Sequence, residues 1–151
     1  MCMWILVGGG CYSALVTSSG TGHLVSTIVT DLSLSPQTTL IVMLVIPYIM
    51  GMFIDPVAIV MICVPMFIPI IASIGLDFLW VMLLFIMTVI IGYITPPFGM
   101  NLFYMKGVAP PDTKMMDIYR GVIPFVLVKS AILVCCILFP PIMTWLPSII
   151  K

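Results

Sequence analysis

The sequence predicts an all-α integral membrane protein, and three observations predict it. Hydrophobic residues make up 63% of the chain and charged residues only 7%, against about 45–50% and about 25% in an ordinary soluble domain. A chain of 151 residues has too little interior to hide that much apolar surface from water. The apolar residues also fall in continuous runs, not in the period-two alternation of a transmembrane barrel. Net charge is zero, so the lipid bilayer is the expected partner and nucleic acid is not.

One transmembrane domain over residues 1–151 is expected, in five stretches. The first, residues 4–30, reads as a helix interrupted by the cluster Thr17-Ser18-Ser19-Gly20-Thr21-Gly22-His23. Its hydroxyls would line a path or let helices pack closely, and His23 is expected to be structural. A signal peptide is not expected here, because a basic leader is missing and Gly8-Gly9-Gly10 breaks the apolar run. The chain would then begin at the edge of a helix, as a fragment of something larger.

The second and third stretches form one unit. Residues 38–50 reach only about 20 Å as a helix, short of a full span of about 20 residues. They end at Gly51-Met52-Phe53-Ile54-Asp55-Pro56, and residues 57–74 run back. Residues 38–74 are therefore expected to be a re-entrant hairpin with its tip near the bilayer midplane. Asp55 is the acidic residue at that tip. An ionisable group at such depth is a functional candidate, and Asp before Pro at the first helical position is also a good N-cap.

The fourth stretch, residues 78–106, is broken by Thr95-Pro96-Pro97. Two prolines supply no backbone N–H, so carbonyls around Ile91 to Ile94 lose helical donors. Broken helices survive at membrane depth only inside protein or beside water, where their ends hold ions. The half-helix expected to start near Phe98 would aim its positive N-terminal end at an anionic substrate. Residues 106–120 form a polar linker with Lys106, Lys114 and Arg120 beside Asp112 and Asp117, cytoplasmic by the positive-inside rule. Residues 121–150 make the last helix. Lys129 sits about two turns into it, where it would snorkel or pair. The five cysteines read as small buried hydrophobes, the 14 methionines as packing, and Trp4, Trp80 and Trp145 as interfacial anchors.

The order of the elements Gly51-Met52-Phe53-Ile54-Asp55-Pro56, Val64-Pro65-Met66-Phe67-Ile68-Pro69-Ile70-Ile71, Gly75-Leu76-Asp77, Ile91-Gly92-Tyr93-Ile94-Thr95-Pro96-Pro97-Phe98-Gly99-Met100-Asn101-Leu102-Phe103 and Ile123-Pro124-Phe125 resembles the C-terminal half of the large membrane (permease) subunit of tripartite ATP-independent periplasmic (TRAP) transporters. The resemblance implies one inverted-repeat half of an elevator fold, with a re-entrant hairpin and a broken transmembrane helix. It implies a multi-pass protein of the bacterial inner membrane, not an enzyme. Such a protein would import an organic acid, such as a C4-dicarboxylate or sialic acid, together with sodium as the coupling ion. A small membrane subunit and a periplasmic solute-binding protein are the implied partners. Carried onto this chain, sodium would lie at Gly51, Asp55, Gly92, Thr95 and Gly99, and substrate at Thr95, Pro96 and Asn101. No catalytic residue, cofactor or other metal is expected. The competing readings are a divalent-anion:sodium symporter of related fold, whose tip signature is missing between Gly51 and Asp55, and a non-functional remnant of a permease.

Overall fold

A computed structural model describes residues 2–31, 35–96 and 99–149. Its elements are all helical: α1 (Cys2–Ser18), α2 (Thr21–Asp31), α3 (Pro36–Gly51), α4 (Pro56–Ile74), α5 (Phe78–Ile94), α6 (Met100–Val108), α7 (Met115–Leu138) and α8 (Pro141–Ile149). Among the described residues two helices, α4 and α7, are long and apolar enough to cross a membrane.

The stretch expected as a single helix over residues 4–30 is two helices. Gly20 sits at φ +68°, a left-handed conformation that a side chain resists and glycine accepts. The hydroxyls of Thr17, Ser18 and Ser19 donate to the carbonyls of Ser13, Leu15 and Val16, so the polar cluster closes the end of α1. Both α1 and α2 pack along α4. Gly22 approaches Pro69 so closely that a Cβ there would lie 2.9 Å from its ring. The side chain of His23 lies outside the described residues, as do Pro97 and Phe98.

Three successive helices start on polar caps. Thr38 N–H donates to Ser35 Oγ at 3.3 Å, Val57 N–H to Asp55 Oδ1 at 2.9 Å, and Trp80 N–H to Asp77 Oδ1 at 2.8 Å. Each occupies one of the amides a helix start leaves without a partner, and Ser35 and Asp55 are each followed by proline at the first helical position.

Helix α5 is the centre of the molecule. Val81, Leu84, Phe85, Val89 and Ile91 are buried along it. The first four pack with Leu40, Met43 and Leu44 of α3 and Ile59, Cys63, Phe67 and Ile70 of α4. Phe67 and Phe85 meet edge to face at 5.5 Å, a favoured aromatic geometry. Trp80, expected as an interfacial anchor, is in this core and donates its indole N–H to the carbonyl of Cys136 at 3.1 Å. Trp4 and Trp145 are exposed. Cys63 and Cys136 are buried, whereas Cys11 and Cys135, expected to be buried, are exposed.

The last helix starts earlier than its apolar pattern indicates. The Lys114 N–H donates to Asp117 Oδ2 at 3.2 Å, a carboxylate in the first turn of α7 that also suits the helix dipole. Residues 115–120 are therefore helix, not linker. Lys129 is nearly four turns in, not two. The helix ends at Leu138, and α8 starts at Pro141, so residues 121–149 are two elements. Lys106 Nζ donates to the Thr113 carbonyl, tying the end of α6 to the turn before α7.

Candidate functional site

Helices α3 and α5 run in the same direction. At one end Ile41 and Leu44 lie beside Leu133 and Ile137, near the level where Trp80 meets Cys136. At the other end Gly51 meets Gly92 backbone to backbone. A Cβ on Gly92 would lie 2.5 Å from the Tyr48 carbonyl oxygen and 3.2 Å from Gly51 Cα, and one on Gly51 would lie 3.1 Å from the Val89 oxygen. The two helices consequently end at one level, α3 at Gly51 and α5 at Ile94. Each helix C-terminus carries partial negative charge on its last carbonyls, and here two such ends are side by side.

The α5 end is shaped by its prolines. The carbonyl of Gly92 would bond to residue 96 and that of Tyr93 to residue 97, but both are prolines without an N–H. Thr95 repairs part of the loss. Its N–H donates to Gly92 O at 3.0 Å, and its hydroxyl donates to Ile91 O at 2.7 Å. From α3, the Tyr48 hydroxyl donates to Thr95 Oγ1 at 3.4 Å. With one proton given and one accepted, Thr95 Oγ1 keeps a single lone pair. Gly99 is buried against the same break, where a Cβ would be 3.0 Å from the Thr95 carbonyl oxygen.

The structure thus brings together Gly51, Gly92, Thr95 and Gly99, with Pro96 half-buried beside them. Asp55 is half-buried four residues past Gly51. One carboxylate oxygen is occupied by the Val57 N–H. Asn101 lies to one side of the break, in a cavity that Ile94 also borders. It is exposed in the first turn of α6 and lines that cavity, of about 510 Å³, with Leu102, Thr113, Asp117 and Ile118, which Thr95 does not line. The residue that sequence reasoning missed is Tyr48. It is the one polar side chain in the second half of α3, one turn before Gly51, and that position was the available signal.

The model of the family described as tripartite ATP-independent periplasmic transporter, DctM component, matches residues 1–142. The chain belongs to the TRAP transporter large-permease family. Relatives include the C4-dicarboxylate TRAP transporter large permease of Vibrio cholerae, 29% identical over 99% of this chain and 33% of its own length. The ectoine/5-hydroxyectoine large permease of Ruegeria pomeroyi is 30% identical over 95% of this chain and 33% of its own. The 2,3-diketo-L-gulonate large permease of Escherichia coli is 33% identical over 91% of this chain and 32% of its own. The chain therefore spans about a third of the length of these curated relatives. No solved structure matches it. TRAP permeases are transporters, not enzymes, so the broken end of α5 belongs to a family that moves solutes and not to one that makes or breaks their bonds.

Proposed function

We propose that this chain forms part of the large permease subunit of a TRAP transporter in the bacterial inner membrane, crossing it several times and importing an organic acid together with sodium. In this reading α3 and α4 are a re-entrant hairpin, and α5 with α6 is a broken transmembrane helix that carries substrate by an elevator-like motion. A small membrane subunit completes the membrane complex and a periplasmic solute-binding protein delivers the substrate. The substrate lies near Thr95 and Pro96, with Asn101 reaching it through the adjoining cavity that Ile94 also borders. Its class is an organic acid of the C4-dicarboxylate or sialic-acid type, a choice that relatives named for C4-dicarboxylate, ectoine and diketogulonate leave open.

The observation that carries the sodium assignment is the contact of Gly51 with Gly92, which sets two helix C-termini side by side, the one on α5 ending where Pro96 and Pro97 offer no N–H. Hydroxyl and carbonyl oxygens suit a monovalent hard cation. The ion would be held by the backbone at Gly51, Gly92 and Gly99, by Thr95, and by the Asp55 oxygen that does not cap α4. The glycines serve by leaving those carbonyls uncovered.

The test is uptake by proteoliposomes containing the complete transporter and its binding protein. Uptake driven by an inward sodium gradient, and lost when choline replaces sodium, is the expected result. Uptake that follows a proton gradient with sodium absent on both sides would overturn the sodium assignment. It would leave family membership untouched.

A further inference from the structure

Lys129 has no role in the site described above, and its position is unusual. It lies about 21 Å along α7 from Met115 and about 14 Å from Leu138, at 1.5 Å per residue. In a helix that spans a bilayer, that is near the middle of the hydrocarbon, too deep to reach either interface by snorkelling. Its side chain is half-buried in a groove of about 120 Å³ between α5 and α7, lined by Met87, Ile90, Ile91 and Ile132. No hydrogen bond or ion pair holds it among the described residues. An ammonium at that depth in apolar surroundings is expensive unless a carboxylate meets it. The groove is also open, with Ile90 and Ile132 each nearly half exposed.

We propose that this groove is the docking seam for an apolar transmembrane helix from the rest of the large permease, carrying an acidic side chain that pairs with Lys129. A second copy of the chain is a poor occupant, because Asp31, Asp55, Asp77, Asp112 and Asp117 all lie at helix ends or in turns. The relatives carry about two-thirds of their length beyond the matched part, room for several more spans. A helix in the same polypeptide meets the groove at an effective concentration no separate subunit matches. The groove reports on the site, since Ile91 lines it and its carbonyl accepts the Thr95 hydroxyl. The inference rests on α7 spanning the membrane within a large permease, but not on sodium coupling.

Two measurements on the complete transporter in bacterial membranes test it. The first compares the yield of folded permease for Lys129→Met and Lys129→Arg. A paired lysine predicts at least a tenfold loss for Met, which strands the carboxylate, and wild-type yield within about twofold for Arg. Equal or better yield for Met means that the lysine is unpaired and overturns the proposal. The second places a photoreactive phenylalanine analogue at Ile132. Crosslinks to a permease helix outside these residues, at a peptide containing Asp or Glu, support the proposal. Crosslinks to lipid alone, to another copy of the permease, or to the small subunit overturn it. The sodium assignment is read separately from uptake, so either reading can fail without the other.

Discussion

Substituting Gly92 by alanine tests the helix contact on which the candidate site depends. The added Cβ would lie 2.5 Å from the Tyr48 carbonyl oxygen, and ordinary contact begins at 3.4 Å. The helices must therefore part by about 0.9 Å. The obstacle is hydrogen-bonded backbone in the last turn of α3, which cannot swing aside as a side chain can, so that end of the helix moves away. The Tyr48 hydroxyl, already 3.4 Å from Thr95 Oγ1, is then carried out of hydrogen-bonding range. Overpacking of this kind costs about 1–3 kcal/mol, and the lost hydrogen bond about 1 kcal/mol. Alanine's better helix propensity returns about 1 kcal/mol. A net destabilisation of about 2 kcal/mol follows. Gly121→Ala is the control, because it meets no atom within 4 Å and keeps only the propensity gain. Unfolding free energies in mixed detergent micelles should rank Gly92→Ala below Gly51→Ala, whose nearest contact is a milder 3.1 Å, and both below Gly121→Ala. If Gly92→Ala unfolds within about 0.5 kcal/mol of Gly121→Ala, near the noise of surface substitutions, the two helices do not meet at these glycines and the site as described does not exist.

Substitutions at three further positions separate structural from functional roles. Thr95→Val removes the hydroxyl that satisfies Ile91 O, so the sodium concentration for half-maximal uptake should rise about tenfold, equivalent to about 1.4 kcal/mol, while Thr95→Ser stays near wild type. Equal behaviour of Val and Ser would exclude the hydroxyl from the site. Asp55→Asn keeps an N-cap and should retain stability while raising the sodium requirement, whereas Asp55→Ala should also lose about 1 kcal/mol of stability; wild-type sodium dependence in Asn would confine Asp55 to capping. Trp80→Phe leaves the Cys136 carbonyl without its donor in the core and should cost about 1–3 kcal/mol in the same unfolding assay. A cost below about 0.5 kcal/mol would show that another donor replaces it.

The helical class and the end of α5 were legible because each has a local cause. Composition excludes a soluble fold, and two adjacent prolines end a helix whatever surrounds them. The misreadings all depend on neighbours. Trp80 lies near a helix end, which suggests an interface, but α7 supplies an acceptor at Cys136 and draws the indole inward. The start of α7 looked like linker because Lys114, Asp117 and Arg120 are polar, yet Asp117 is the residue that caps that start. Counted from that start, Lys129 lies two turns deeper than the apolar pattern alone suggests. Proximity in sequence puts Asn101 near the break, and what packs against α6 adds that it faces α7 across a cavity that Ile94 also borders. Tyr48 stands out in the sequence only as a lone polar side chain near Gly51; its pairing with Thr95 requires α3 and α5 to run in the same direction with Gly51 at Gly92, a register no single segment encodes.

That register also bears on which ion the site would suit. Two helix ends contribute about half an elementary negative charge each, and Asp55 is the one formal charge nearby, with an oxygen already engaged by the Val57 amide. A divalent cation asks for six to eight oxygens and usually several carboxylates, more than this arrangement offers. Among the described residues no group of three or more His, Cys, Asp or Glu side chains is placed to hold a metal. A monovalent ion needs fewer ligands and less compensating charge, and can leave a site built mainly of dipoles more readily than one built of charges. A coupling ion must leave on every cycle, so a site of carbonyls with one partly engaged carboxylate is better matched to transport than a tighter acidic cage. The Thr95 hydroxyl, joined to α5 through Ile91 and to α3 through Tyr48, is the atom through which ion occupancy would be felt by both helices at once.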